Sequence, residues 1–499
     1  MTARSLCRFA VLVGLTLVPS VSAGQTPAAK SPDTRSPGVA DTTIEATLQA
    51  LARTIESQQK LLEEQARQIE QLRREIAESR ERTQPATLAP EVTSLQTTPP
   101  QQAGVQPPAP TDQAPLVAPE LPPDLVTVGD FPGAIKLPGE DASLRIGGFV
   151  RANWVGTHEA LLVDNKFQTS AIPVPGTPAA EQGGRLDLIA SQSRFNFDLR
   201  TATGVGYWRA FIEGDFGGDN TTLELRHAFG QWRRFIFGQT WSTFADPEAD
   251  PRGIDFEGLN AIVLFRQPLV RWSFPWGERI RIALALENPQ PALTDATPVN
   301  QVPDFVTRLR WEPRRGGHIQ AAGLFRQLRG EPQHAAPDES VTDAPVNIVS
   351  AGAYGFNVGG KLPSPLWSTR DKVLFQYNAG KGIGSYINDL RSFGGQDGVF
   401  DPVADTLRPL VVFAGFVGYE HSWQASLRST FSFGIVDVDN LDIQPDTALH
   451  RTRRSSVNIM WSPIQRLDLV TEFLWGRMQT KDGKSAFASQ TQIGSTFRF

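Results

Sequence analysis

The sequence predicts an all-β transmembrane barrel of about sixteen antiparallel strands, preceded by an α-helical coiled coil and a Pro-rich linker. Three observations predict it. First, the chain ends on a two-faced strand. Ile493, Phe497 and Phe499 share one parity, and Gln490, Gln492, Thr496 and Arg498 share the other. A closing strand that faces lipid ends this way, whereas an exposed terminal aromatic is unusual on a soluble protein. Second, the period is two almost throughout from Ser143. Third, the connections alternate between tight turns and long loops, as they do on the two rims of a membrane barrel.

The elements follow in order. Residues 1–23 read as a secretory signal, with Arg4 and Arg8 before the apolar run Phe9 to Val18 and a small-residue site at Val21-Ser22-Ala23. Cys7 is the only cysteine and lies in that signal, so disulfides and thiolate metal sites are excluded from the mature chain. Residues 24–40 are expected to be disordered.

Residues 41–82 carry a heptad pattern: Leu48, Ile55, Leu62, Ile69 and Ile76 on one seam, Ile44, Leu51, Gln58, Gln65 and Leu72 on the other. Thr42 and Glu45 form a capping box, and Pro85 stops the helix. A rod of this length spans roughly 60 Å. Its seam residues are mixed, so dimer and trimer both stay open. Residues 83–142 hold Pro99-Pro100, Pro107-Pro108 and Pro122-Pro123 among Gln, Ala and Thr, and read as an extended spacer.

Residues 143–499 form the barrel. Leu144, Ile146, Val150, Ala152 and Trp154 alternate with Arg145, Arg151 and Asn153. Phe195, Phe197 and Leu199 alternate with Arg194, Asn196, Asp198 and Arg200. Strands are expected near 144–155, 188–200, 205–216, 222–232, 234–242, 260–274, 279–287, 304–312, 317–327, 348–361, 371–379, 409–420, 423–434, 453–461, 466–476 and 489–499. Tight turns fall at Thr201 to Gly204, Arg233-Arg234, Pro275-Trp276-Gly277 and Ser462 to Gln465. Long loops fall between the other strand pairs. Trp154, Trp208, Trp232, Trp461 and Trp475 sit near strand ends, as interfacial girdles require.

Composition excludes other classes. No mature run of eighteen apolar residues exists, so a helical membrane protein is excluded. A net charge of -5 argues against nucleic acid as a partner. His158, His227, His318, His334, His421 and His450 show no metal-ligand spacing, and no nucleophile with its base stands out. No cofactor, metal or catalytic site is expected.

The segment Leu225-Arg226-His227-Ala228-Phe229-Gly230 through Gly238-Gln239-Thr240-Trp241-Ser242-Thr243-Phe244 resembles the DcaP-like dicarboxylate porins of Gram-negative outer membranes. Glu213 and Asp215 before Phe216, and Arg266-Gln267-Pro268 with Arg271, share the resemblance. It extends over the signal, coiled coil, linker and barrel. It implies a trimer of sixteen-stranded porins in the outer membrane, a periplasmic rod, and passage of small anionic solutes. The long loops are less similar, so the solute does not follow.

The polar parity supplies candidate lumen groups. Arg151, Arg194, Arg209 and Arg226 sit mid-strand on the first four strands and are expected at similar depth. Arg281, Arg308, Arg310 and Arg326 extend the basic lining. A guanidinium stays charged and grips carboxylates through its fork, and rings of fixed charge set ion preference. Asp198, Glu213 and Asp215 could pair with some of them. The loop after the fifth strand holds Asp246, Glu248, Asp250, Asp255 and Glu257; folded inward, it would face the arginines and set up a transverse field. Two functions compete on this reading: a diffusion porin favouring anions such as dicarboxylates, and an envelope tether or adhesin whose barrel anchors the rod. The rod's partner is open between peptidoglycan and another envelope protein.

Overall fold

The computed structural model describes residues 127–138, 140–217, 221–333, 347–393 and 397–499. Sixteen antiparallel strands close into one barrel. They are β1 (Ala142–Thr157), β2 (Arg185–Ile189 and Arg194–Thr203), β3 (Gly206–Asp215), β4 (Glu224–Trp232), β5 (Phe235–Trp241), β6 (Arg266–Trp276), β7 (Ile280–Glu287) and β8 (Asp304–Trp311). The second half holds β9 (His318–Pro332), β10 (Val349–Pro363), β11 (Lys372–Lys381), β12 (Val411–Gln424), β13 (Leu427–Asp439), β14 (Leu449–Ile464), β15 (Leu467–Thr480) and β16 (Ser485–Arg498). Each strand pairs with the next. β16 closes on β1, with Ile493 opposite Trp154 and Phe497 opposite Val150. Closure leaves no strand edge to be satisfied by lipid, which has no hydrogen bonds to give.

The alternation sorts the two faces. On β16, Ile493 and Phe497 are exposed on the outer wall, while Gln490, Gln492 and Thr496 are buried inward. Trp208 and Trp232 stack across β3 and β4 with centroids 5.4 Å apart. Several expected boundaries change, three of them at turns or loops. β2 is interrupted at 190–193, where Ser193 caps the Ala190 carbonyl. β6 begins at Arg266, because the expected strand start from Asn260 belongs to an inward loop. Ala425 lies in the turn between β12 and β13, because β12 runs on to Gln424 and β13 begins only at Leu427.

Short turns occupy the rim where β1 begins and β16 ends. The opposite rim carries the long loops, including L1 (158–184), L3 (242–265) and L6 (382–410). L6 forms a small sheet: Gly398–Asp401 pairs with Thr406–Pro409, and Leu293–Thr294 adds parallel to it. At the short-turn rim a hairpin of Thr127–Val128 and Ile135–Lys136 joins β1 through Ile135 and Leu144. Phe131 of that hairpin lies 4.0 Å from the Arg200 guanidinium. The expected signal, disordered start, coiled coil and the linker up to residue 126 lie outside the described residues.

The main apolar core is inside the barrel. Phe244, Ile262, Val263 and Phe265 of L3 and Ile383, Tyr386, Ile387 and Leu390 of L6 meet Val306, Leu324, Val412 and Val436 of the wall. Each fully buried side chain of this kind contributes about 1.5–3 kcal/mol. These contacts seal the β7–β13 side of the lumen.

Candidate functional site

L3 runs across the lumen, and side chains from the opposite wall hold it there. Asp246 accepts from His318 Nε2 at 2.7 Å, and Glu248 meets Arg310 at 2.8 Å. Asn458 donates to the Arg252 carbonyl at 2.9 Å. Glu472 of β15 accepts the N–H groups of Ile254 at 2.6 Å and Asp255 at 3.2 Å. This clasp requires glycine beside it: a Cβ on Gly253 would lie 2.7 Å from the Glu472 carboxylate. Asp255 pairs with Arg454 at 2.6 Å, and Glu257 pairs with Lys166 of L1 at 2.8 Å.

This changes the electrostatic picture expected of the loop. Its carboxylates do not form a free acidic edge opposite the arginines. Asp246, Glu248, Asp255 and Glu257 are each engaged, and Asp250 has a buried Oδ1 with no hydrogen-bond partner among the described residues. The four engaged carboxylates serve first as fastenings.

The arginines divide into distinct groups. Arg194 and Arg226 converge on Glu213 and Asp215, and Arg151 shares the Phe149 ring with Arg194. Arg194 lies 3.3 Å from Glu213 and 3.5 Å from Asp215. Arg226 lies 2.7 Å from Asp215 and 3.5 Å from Glu213. Arg151 has no ion pair among the described residues; it donates to Thr496 Oγ1 at 3.3 Å and to the Ile254 carbonyl at 3.4 Å. A register shift between Glu213 and Gly214 leaves Arg226 as an extra residue on β4, so Arg226 and His227 are both buried despite adjacent numbers.

Arg209 is not at their depth. It pairs with Arg200 in register, whereas Arg194 pairs with Asp215. Six strand residues separate the two levels, roughly 20 Å. Asp198 takes Arg209 at 2.8 Å and Arg200 at 2.7 Å, near the short-turn rim. Arg281 is at that rim too, with a side chain 68% exposed and Glu312 at 3.4 Å. Arg310 is shared by Glu248 and Glu312. Arg308 has no ion pair among the described residues. Arg326 is sealed: its side chain is 1% exposed, with Asp304 at 3.2 Å, Asp397 at 3.1 Å and Tyr386 against it. A passing solute cannot reach it.

Two cavities lie on the two sides of L3. The larger, about 520 Å³, is lined by Arg151, Arg252, Arg428, Arg454, Asp468 and Glu472 among others. The smaller, about 340 Å³, is lined by Lys166, Glu224, Arg226, Trp241, Arg266 and Arg391 among others. Arg252, Arg391, Arg428, Arg454 and Glu472 were not among the expected site residues. Strand parity alone could have flagged Arg454 and Glu472. Arg252 and Arg391 belong to loops, where no period assigns a direction. No group of three His, Asp or Glu among the described residues is arranged to hold a metal.

A closed sixteen-strand barrel with an inward loop and charged cavities defines an outer-membrane porin-type channel. The family model for the DcaP outer membrane protein matches residues 144–495, and the chain belongs to that family. Its place is therefore the outer membrane. The crystal structure of the outer membrane channel DcaP of Acinetobacter baumannii is similar over 72% of this chain and 97% of that one, with 21% identity and a TM-score of 0.62. An anion-selective porin from Comamonas acidovorans is similar over 72% of this chain and all (100%) of that one, at 11% identity and a TM-score of 0.46. No curated protein matches the chain by sequence.

Proposed function

We propose that this porin favours small anions, dicarboxylates among them, over cations. The observation that carries the reading is the surplus of cations on both sides of L3. Lys166, Arg226, Arg266 and Arg391 line the smaller cavity against Glu224 and Glu257. Arg151, Arg252, Arg428, Arg454 and Arg498 line the larger against Asp250, Asp255, Asp468 and Glu472. Fixed charge lowers the cost of entry for one sign of ion. The surplus is small, so the preference is graded and falls as salt shortens the Debye length. Separated guanidiniums favour a solute with two carboxylates, because each fork grips one of them.

The family resemblance further supports a trimer in outer-membrane lipid, with residues 41–82 forming a periplasmic rod. That rod's partner is peptidoglycan or another envelope protein. The tether or adhesin reading needs no ion flow. Planar-bilayer reversal potentials under a potassium chloride gradient test both. Anion preference is expected in the parent protein and reduced several-fold in Arg151→Ala with Arg194→Ala. A parent pore without anion preference overturns the proposal, and a barrel with no conductance favours the tether.

A further inference from the structure

The L3 segment 254–258 contributes to both cavities. Ile254, Asp255 and Gly258 line the larger, and Phe256 and Glu257 line the smaller. Most of this partition is fastened. Ile254 is buried against Met460 and Val470, and its N–H is held by Glu472. Asp255 is held by Arg454, and Glu257 by Lys166. Phe256 differs. Its ring is half-buried and lies 5.4 Å from the Arg226 guanidinium. It also lies close to the Gly217 backbone: a Cβ there would be 3.0 Å from the ring.

We propose that the Phe256 ring is a movable partition that sets the conductance of the pore and masks the charge of Arg226. This rests on the anion-porin reading and adds a specificity-determining residue to it. Asp215 takes Arg226 Nη1 at 2.7 Å, and Glu213 lies 3.5 Å from its Nε. The Phe256 ring lies against the same guanidinium and both line the smaller cavity, so the ring stands between Arg226 and an anion in that space. A cation–π contact of this kind is weak compared with the ion pairs around it. Rotation of the ring breaks no hydrogen bond, so it can yield while its neighbours on L3 stay clasped. A permeating anion must displace the ring both to pass and to reach Arg226.

The test is single-channel conductance and reversal potential in potassium chloride for Phe256→Ala, Phe256→Leu and Phe256→Trp in the full-length protein. Conductance is expected to rise several-fold in the alanine variant, less in leucine, and to fall in tryptophan. Anion preference is expected to rise in the alanine variant, because Arg226 is uncovered. Heat-modifiable mobility checks assembly; if one variant does not assemble, the order of the other two decides. Conductance in assembled variants that does not follow side-chain size overturns the proposal. If the parent pore is not anion-selective but the size order holds, the anion reading fails while the partition stands. If the parent is anion-selective and the order is absent, the partition alone fails.

Discussion

The wall at β1–β4 and the wall at β7–β13 belong to one barrel and share one period, yet they hold charge in opposite ways. Near Glu213 and Asp215, two carboxylates meet Arg194 and Arg226, Arg151 adds a charge with no ion pair among the described residues, and Arg151 and Arg226 border the cavities. At Arg326 the carboxylates outnumber the guanidinium and border none. Asp304 and Asp397 close on it, Tyr386 donates to Asp304 at 2.8 Å, and L3 and L6 pack over the top. The difference lies in what covers each arginine. A charge that meets water can act on a solute, whereas a buried one must be neutralised by its own neighbours. Identical residues on identical strand parity therefore become a lining in one place and a rivet in the other.

The sharpest way to break this comparison is Arg326→Ala. It leaves two carboxylates buried and unpaired, a loss of about 3–5 kcal/mol. The unfolding temperature of the barrel, followed by heat-modifiable mobility, is expected to fall markedly, with L6 becoming sensitive to protease. A normal melting temperature would show that water reaches this site after all.

Glu472→Ala tests the fastening of L3. The buried N–H of Ile254 and the part-buried N–H of Asp255 lose their acceptor. The cost is about 1–3 kcal/mol for an unsatisfied group. It is expected to appear as noisy, larger single-channel currents rather than as loss of the barrel. Quiet currents of parent size would place the hold on L3 elsewhere.

Asp371, in the turn between β10 and β11, supplies a smaller effect with a defined pH direction. Burial opposes its ionisation. That is outweighed by Tyr419 at 2.6 Å, the Ser422 N–H at 3.0 Å, His421 at 3.0 Å and the Ser368 N–H at 3.0 Å. The carboxyl is held well below the usual range. A depressed folded value means the contribution is complete above the unfolded value of about 4 and is lost as pH falls through the folded one. Melting of the parent is expected to weaken progressively below about pH 4, and Asp371→Asn to show less of that slope. Equal slopes would assign acid sensitivity to other carboxylates.

The smallest effect is expected from Arg209→Ala. Its charge is already neutralised by Asp198, which Arg200 shares. Reversal potential at low salt is expected to stay near the parent value, in contrast to Arg151→Ala with Arg194→Ala. A shift as large as that of the double variant would put Arg209 among the charges that act on a solute.

Much of the barrel was legible because its signals are local. A period of two reports which side chains face lipid, and lipid tolerates no polar edge, so the strands must close. Phe497 and Phe499 carried that information in ten residues. Loop lengths assigned the rims. All sixteen strands fall where alternation put them, with the main boundary errors at 190–193, Asn260 and Ala425.

Parity along a strand determined which face Arg151, Arg194, Arg209 and Arg326 take, because that depends only on neighbours in sequence. Depth, burial and partner depend on residues tens or hundreds of positions away. The register of β2 against β3 lowered Arg209 to the rim, and one extra residue on β4 turned Arg226 inward beside His227. The course of L3 from β5 past His318, Asn458 and Glu472 has no period to announce it. Tertiary structure alone decided which charges are spent on holding the fold and which remain to meet a solute, since pairing is a matter of distance in space.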